Sequence, residues 1–527
     1  MFVNKKFLLY TTLSLLFGGS CFGQQSVLTW HYDNMRTGAN VQETILTPKN
    51  VVWTGFGKLF TQPVDGAIIG QPLYLPSVSI PDLGVHNVVY VATMNDSVYA
   101  FDADDNTGTN AHPLWQTSVL APGATPVPMN VQGGEKETGW TEVGVVSTPV
   151  IDPATGILYV LAKDYLNGVA TNRLWGLDVT TGASKFPPVA ISATFTSGGK
   201  EYTFNNLTQI NRPALLLSNG VIYIAFGSNG VNGLEQGWVI AYSAVTAPSQ
   251  LTSPTRVVPQ FVGAFDDEPG NYTAAIWQKG AGLSADSDGN IYGETGDGAF
   301  TAGTNLGQSV LKFTLNSNGL ALADWFTPYN WQYLFDNDLD LNDSVLILPD
   351  QPGPHPYLAI GCGKVGTLYL LDRTNMGGVC TTCTNGDTQI VQELPSAVGW
   401  ETGSLVYWNS TVYSTAAGSP VMAWALNNGL LPDSPTVKTP RNWAGGHSPV
   451  LSANGTTNGI LWQLNGGNSG NANLVAYDAV TLKELYAISD TKGRDNLPTV
   501  SHFAFIMEVN GKVYVSTNSS LEVFGLL

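Results

Sequence analysis

Val88-Val-Tyr-Val-Ala-Thr-Met-Asn-Asp-Ser-Val-Tyr-Ala-Phe-Asp102 reads as two alternating strands around a polar turn. Its β-branched and aromatic residues fit a pleated, half-buried surface, and Asn95-Asp96 interrupts them where a hairpin must reverse. A short apolar segment precedes the pair, Gln71-Pro-Leu-Tyr-Leu, and a shorter strand, Leu114–Ser118, follows it. The opening segment recurs as Thr148-Pro-Val-Ile, Arg212-Pro-Ala-Leu-Leu-Leu, Ala281-Gly-Leu-Ser-Ala and Asp343-Ser-Val-Leu-Ile-Leu. It continues as Thr402-Gly-Ser-Leu-Val-Tyr, His447-Ser-Pro-Val-Leu and His502-Phe-Ala-Phe-Ile. The spacing averages roughly 60 residues, a period of repeat architectures.

Four short antiparallel strands per unit make one blade of a β-propeller. A blade cannot bury both faces alone, so the units must pack radially. Roughly eight such units are present, which predicts an all-β, eight-bladed propeller of four-stranded antiparallel blades over residues 56–527. Ser501–Leu527 supplies three strands and stops, while Phe56–Val64 is a lone strand. The two together complete one blade, which removes open edges. Two separate β-sandwiches would explain neither the spacing nor the complementary ends.

The composition agrees. The 527 residues are 43% hydrophobic and only 12% charged, and Trp, Tyr and Phe number 14, 21 and 20. Apolar surface on this scale argues against disorder. The net charge of −18 opposes nucleic-acid binding, which needs cations to displace phosphate counterions, and disfavours an anionic membrane surface.

Met1–Gly23 reads as a secretory signal: Lys5 and Lys6 precede an apolar run, Phe7–Phe17, too short to span a bilayer. Cleavage after Gly23 leaves 24–55 as an N-terminal extension and predicts a secreted or periplasmic protein without a transmembrane segment. Cys21 opens an alternative, a lipoprotein, although Gly18 stands where an aliphatic residue belongs. Cys380 and Cys383 read as a local disulfide in an oxidising compartment. Haem attachment would need His where Thr384 stands, and a zinc site would need a second Cys pair. Cys362, in an apolar run, reads as a buried thiol.

Gly176-Leu-Asp-Val-Thr-Thr-Gly-Ala-Ser-Lys-Phe186 resembles the tryptophan-docking repeat of pyrroloquinoline quinone (PQQ) propellers, A-x-D-x-x-T-G-x-x-x-W. Ala476–Tyr486 is a second copy, and Ala100-Phe-Asp102 through Trp115 a third, stretched by an insertion. The resemblance covers most of the mature chain and implies the quinoprotein alcohol dehydrogenase-like ring. It does not imply a quinone, because the repeat is a packing device between blades.

In such a ring the second-to-third strand loops share a face with the links between blades. Both classes are long here: Leu120–Val146, Thr194–Asn211, Gly263–Gly280 and Tyr329–Asn342, then Lys163–Arg173, Gly227–Gly237, Gly296–Gln308 and Asn465–Asn473. Ser77–Asn87 and Pro349–Pro356 are the long exceptions on the other face. Long loops on a rigid scaffold are where binding concentrates. The elaborated face is acidic and aromatic, with Glu135, Glu137, Trp140, Glu142, Asp164, Glu235, Asp266, Asp267, Glu268, Trp277 and Trp331. Most of these carboxylates read as a solvated rim.

The starts of the innermost strands lie at the channel mouth, where Gln71, Thr148, Arg212, Asp343, Glu401, His447 and His502 occupy or adjoin them. With Glu142 and Trp277 these are the candidate ligand-binding residues; the competing reading is a channel closed around water. Asp336, Asp338 and Asp340 alternate as calcium ligands do, but the loop lacks the Gly and bidentate Glu of an EF-hand. A solvated acidic turn competes with a metal site there. Asp286–Asn290 reads as a hairpin turn, and no hydrolase elbow, zinc-protease motif or phosphate loop occurs.

Two functions follow. One is a propeller that binds a protein or glycan partner through the acidic, aromatic face. The alternative is a PQQ- and calcium-dependent dehydrogenase of an alcohol or sugar, with Glu142, Arg212, Trp277 and Asp343 available for its roles. The adjacent Cys-Cys pair of many PQQ alcohol dehydrogenases is absent from the sequence, as is any haem motif.

Overall fold

The computed structural model describes residues 24–132, 140–228, 236–245, 257–270, 274–341, 343–442, 447–466, 472–501 and 504–527. Eight antiparallel sheets form a closed propeller. Blade 1 comprises Leu73–Ile80, Gly84–Ala92, Ser97–Asp102 and Trp115–Ser118, inner to outer; blade 2 comprises Val150–Asp152, Ile157–Leu166, Val169–Asp178 and Val189–Ala190. The innermost strands of blades 3 to 7 are Leu216–Ser218, Ser284–Ala285, Leu346–Ile347, Val406–Trp408 and Val450–Asn454. Blade 8 takes Ile506–Val509, Lys512–Ser516 and Ser520–Leu526 from the C-terminus and Phe56–Pro63 from the N-terminal side, as the complementary ends required.

The repeat grammar has a physical counterpart at each step. The Asp ending a third strand caps the next turn with its own carboxylate: Asp178 accepts from the Thr180 N–H (2.7 Å), Asp478 from that of Thr481 (2.8 Å) and Asp372 from that of Thr374 (2.9 Å). The Tyr of a second strand reaches the turn of the following blade. Tyr90 donates to Val179 O (3.0 Å) and Tyr413 to Ala479 O (3.1 Å), and Tyr159 accepts from Val245 N (3.0 Å). Between blades 1 and 2, Trp115 also donates to Val179 O, and a Cβ on Gly182 would stand 2.5 Å from its ring. Gly182 has φ +68, so both contact and backbone require glycine there. Alternate strand residues fill the spaces between blades, each buried aliphatic side chain contributing about 1.5–3 kcal/mol.

Two expected loops are strands instead. Lys163–Arg173 is the tip of a ten-residue-per-strand hairpin, Ile157–Leu166 with Val169–Asp178, turned by Asn167-Gly168 in left-handed conformations. Asn-Gly favours the tight turn whose twist matches the strands, so pairing runs to the end. Ser77–Asn87 likewise belongs mostly to the first two strands of blade 1, whose register shifts between Leu75 and Val78. The Asp286–Asn290 turn forms as expected, with Asp286 N donating to Asn290 O (3.1 Å).

Residues 27–40 run inside the ring. An innermost strand presents an unpaired backbone edge to the channel, and orphan amides are costly. Val27 exchanges two hydrogen bonds with Tyr74 of blade 1, and Leu28 O accepts from Ile151 N of blade 2 (2.8 Å). Asn34 donates to Leu217 O of blade 3 (2.9 Å) and accepts from Ala285 N of blade 4 (2.7 Å). Met35, Thr37 and Gly38 carbonyls accept from Ile347, Tyr407 and Leu451 of blades 5, 6 and 7. Ala39–Asn40 then lies parallel to Val450–Asn454, and Asn40 donates to Glu508 of blade 8 (2.8 Å). One short segment thus serves all eight blades. At this depth the channel holds the chain's own residues.

Candidate functional site

Arg212 opens the innermost segment of blade 3. Asn211 fixes the entry by donating to Pro213 O (2.9 Å) and Ala225 O (2.7 Å). The guanidinium carbon of Arg212 lies 4.8 Å from the ring centre of Trp277 and 6.0 Å from that of Trp140, two rings from different inter-blade links. Gly227 makes room: a Cβ there would fall 2.6 Å from Trp277.

Beside Trp277, Gln278 and Lys279 adopt left-handed φ of +44° and +48°. Such strain in non-glycine residues persists where surroundings over-determine it. Lys279 donates to Thr402 O (2.7 Å) and faces Glu401 (3.6 Å) and Asp343 (3.9 Å). Thr402 donates to the Asp343 carboxylate, and Asp343 N donates to Glu294 (2.7 Å). Glu294 also accepts from Cys362 N (2.9 Å). Burial, with Asp343 nearby, pushes the Glu294 carboxyl well above its ordinary value. Burial raises Asp343 too, against the opposing charge of Lys279. Cys362 is buried, as expected.

Glu401 N donates to Lys364 O, which leads to a second cluster. Asp297, Asp338 and Asp340 each direct a carboxylate oxygen to within 4.8 Å of the others. Lys364 pairs with Asp338 (2.6 Å) and Asp340 (2.8 Å). Burial, with Asp340 and Asp338 adding to it, pushes Asp297 up to about 9. Asp338, despite partial burial, is held below its ordinary value by Lys364. Asp336 stands apart at the end of the helix Trp331–Asp336, accepting from Gln332 (2.9 Å).

The floor of the mouth is the threaded segment. Trp30 packs with Ala214, Ala281 and Phe505 and stacks on His31 at 3.6 Å. His31 N donates to Gln71 (3.2 Å), and Gln71 N donates to Thr148 (2.8 Å). His447 is buried, its Nε2 2.9 Å from Gly466 O. Glu142 is half-buried on a two-residue strand, raised by burial and by Asp65. His502, Glu135, Glu137 and Glu235 lie outside the described residues. Asp164, Asp266, Asp267 and Glu268 are buried, which corrects the solvated-rim reading for those four. Backbone amides account for the last three: Gly237 N donates to Asp267 (2.8 Å), Glu268 N to Asp266 (3.1 Å) and Ala274 N to Glu268 (3.0 Å).

Sequence reasoning missed Lys279, Glu294, Asp297 and Lys364. The signal for two of them was polar residues ending an otherwise apolar second strand, Gly293-Glu-Thr-Gly-Asp297.

No protein family matches the sequence, and no curated protein does. Solved structures do. A europium-containing methanol dehydrogenase aligns with TM-score 0.59 at 13% identity, over 95% of this chain and 98% of its own. The quinohemoprotein alcohol dehydrogenase of Comamonas testosteroni gives 0.58 at 14%, over 95% and 80%. The fold is that of the PQQ dehydrogenase propellers. A third such neighbour, the quinohemoprotein alcohol dehydrogenase ADHIIG of Pseudomonas putida HK5, gives 0.56 at 13%, over 95% and 80%. At these identities the likeness of the PQQ-type propellers extends to the fold alone.

Proposed function

We propose that this PQQ-type propeller binds a protein or glycan partner at its elaborated face, with the channel mouth as the anchoring point. The observation that carries the reading is Arg212 packed on Trp277 and beside Trp140. Aromatic faces suit sugar rings and apolar side chains, and a planar guanidinium suits carboxylates and hydroxyls. Trp30 closes the mouth from below, so a partner is met from one side. Titration with a panel of neutral and acidic oligosaccharides tests this. Saturable binding lost in Arg212→Ala and Trp277→Ala, with unchanged unfolding, supports it; binding that survives both substitutions overturns it.

The Asp297–Asp338–Asp340 cluster favours a second reading, a PQQ- and calcium-dependent dehydrogenase of an alcohol or sugar. Three carboxylates are the hard oxygen donors calcium takes, and these three would hold it once Lys364 gave up its two contacts. Arg212 and Lys279 are the cations on hand for an anionic cofactor. The quinone, when bound, would supply the hydride-accepting chemistry. Calorimetric titration with PQQ and calcium separates the readings: absence of heat eliminates the second.

We also propose export of the chain after cleavage at Gly23, with the close pair Cys380 and Cys383 disulfide-linked in the exported protein. Among the described residues no helix is long and apolar enough to cross a membrane.

A further inference from the structure

The turn at Asn95-Asp96 joins the second and third strands of blade 1. Asp96 stands there at φ +55°, a region that Asp tolerates better than most residues. Its backbone is satisfied: the amide donates to Thr93 O (3.0 Å), and the carbonyl accepts from Val119 N (2.8 Å). Its side chain is not. Asp96 is fully buried, and neither carboxylate oxygen has a hydrogen-bond partner. The carboxyl lies against Gly144, where a Cβ would stand 2.8 Å from both its Cγ and its Oδ1. Buried polar atoms are nearly always paired, so two orphan oxygens on one side chain call for a ligand.

Two more carboxylates act on it. Asp164, in the second strand of blade 2, is 1% exposed. Its Oδ2 accepts from Arg173 (2.6 Å) and Ala121 N (3.2 Å), while its Oδ1 has no partner. Glu142, two residues before Gly144, is half-buried and opens the cluster to solvent. Burial, then the charges of Asp164, Glu142 and Asp65, push the Asp96 carboxyl well above its ordinary value, against the Lys163 amide. Asp65 is exposed and spends its oxygens on Thr93, Asn95 and Ser97. The Lys163 ammonium is spent on the Gln132 side chain and the Leu207 and Gln209 carbonyls. Asp96, Asp164 and Glu142 thus bring three negative charges against the one positive charge of Arg173. A proton would remove one of the two left over. A divalent cation removes both and gives three orphan oxygens a partner at once.

We infer that Asp96, Asp164 and Glu142 form a binding site for a hard divalent cation, calcium, between blades 1 and 2. Both Asp96 oxygens and Asp164 Oδ1 are its fixed ligands. The three carboxylates are not drawn within 4.8 Å of one another as Asp297, Asp338 and Asp340 are, so Glu142, the half-exposed member, closes on the ion. Calcium takes about six to eight oxygens in flexible geometry, and water supplies the rest. The site rests on neither reading of the channel mouth. Chelator-stripped full chain carrying Asp338→Asn, which disarms the other carboxylate cluster, is titrated with calcium chloride alone. Calorimetry should show one saturable event, and calcium should raise the thermal midpoint. Adding Glu142→Gln should weaken binding at least about tenfold, since calcium affinity follows the charge of its ligands. Adding Asp96→Asn should abolish binding and remove the calcium-dependent rise in midpoint. An Asp96 that only serves packing would shift the midpoint equally with and without calcium. Should Asp96→Asn fail to fold, Glu142→Gln, at the half-exposed position, decides alone. Absence of a calcium event, or binding of unchanged strength in either added variant, overturns the proposal.

Discussion

The Tyr514 hydroxyl donates to the carbonyl of Ala103 at 3.0 Å. Tyr514 lies near the C-terminus in blade 8 and Ala103 follows the third strand of blade 1. The bond is the same second-strand latch that Tyr90 and Tyr413 make inside the ring, used here to shut it. Tyr514→Phe orphans a buried carbonyl and should cost about 1–3 kcal/mol. Tyr413→Phe should cost a similar amount at equilibrium. Chemical unfolding of both variants checks this, and an unchanged midpoint for Tyr514→Phe would contradict the closing role. Deleting Val513–Leu527 should remove soluble folded protein altogether.

Arg36 should be among the most sensitive positions of the chain. It is fully buried, donating from Nε to Leu283 O (2.9 Å) and from Nη1 to Thr29 Oγ1 and Trp30 O (both 2.8 Å). Burial lowers it to about 10, so it stays charged at neutral pH. Arg36→Met strands three acceptors and should destabilise by about 3–5 kcal/mol, the scale for breaking a buried charged network. Thermal unfolding that matches wild type would refute the idea that the threaded segment holds the ring.

Asp266 supplies a pH signature. Burial pushes its carboxyl up to about 7, with Glu268 adjacent. The folded chain then keeps a proton that the unfolded chain releases near its ordinary value. Stability from this group is fully present below about pH 4 and is lost as pH rises through about 7. Wild type should therefore lose stability relative to Asp266→Asn across that window, at about 1.4 kcal/mol for each pH unit crossed. A constant stability difference from acid to neutral pH would falsify the assignment. His31, pushed down to about 3 by burial, works in the opposite sense, its contribution being lost as pH falls toward that value.

The blade 6–7 seam invites a double-mutant cycle. Leu482, at φ +52, occupies the glycine position of the docking turn and is buried in the cluster against which Val437 packs. Leu482→Gly alone should cost about 2–4 kcal/mol for the cavity it leaves. Adding Val437→Trp should recover at least about 1 kcal/mol, a coupling normal for residues in contact. Strict additivity would mean that the two positions do not exchange roles.

Cys380 and Cys383 should appear as one linked peptide when exported protein is mapped without reduction. Two free thiols after periplasmic expression would contradict the pairing.

The blades were legible because alternation is a local property: Val88–Asp102 announces its hairpin within fifteen residues, and Asp102, Asp178, Asp372 and Asp478 mark the ends of four third strands. The ends matched because a strand short in one place was spare in another. The hub was not legible. Trp30-His-Tyr-Asp-Asn-Met-Arg36 has neither a two- nor a 3.6-residue period, because successive residues answer to different blades. The mouth was half legible. Arg212, Asp343 and Glu401 follow from strand starts, while Asp297 joins Asp338 and Asp340 only through the packing of blade 4 on blade 5. Lys163–Arg173 misled because polar residues at a hairpin tip look like a loop.

The segment at 27–40 works as an axle with one fitting per blade. Many repeat proteins gain or lose a unit by duplication or deletion, since each unit touches only its neighbours. Here a ninth blade would find no carbonyl to meet its inner edge, and a missing one would leave an amide acceptor idle at the centre. The number of blades is thereby written a second time, in a stretch of chain that belongs to none of them. A lineage carrying this axle can remodel its rim freely, but it cannot count differently without changing the axle as well.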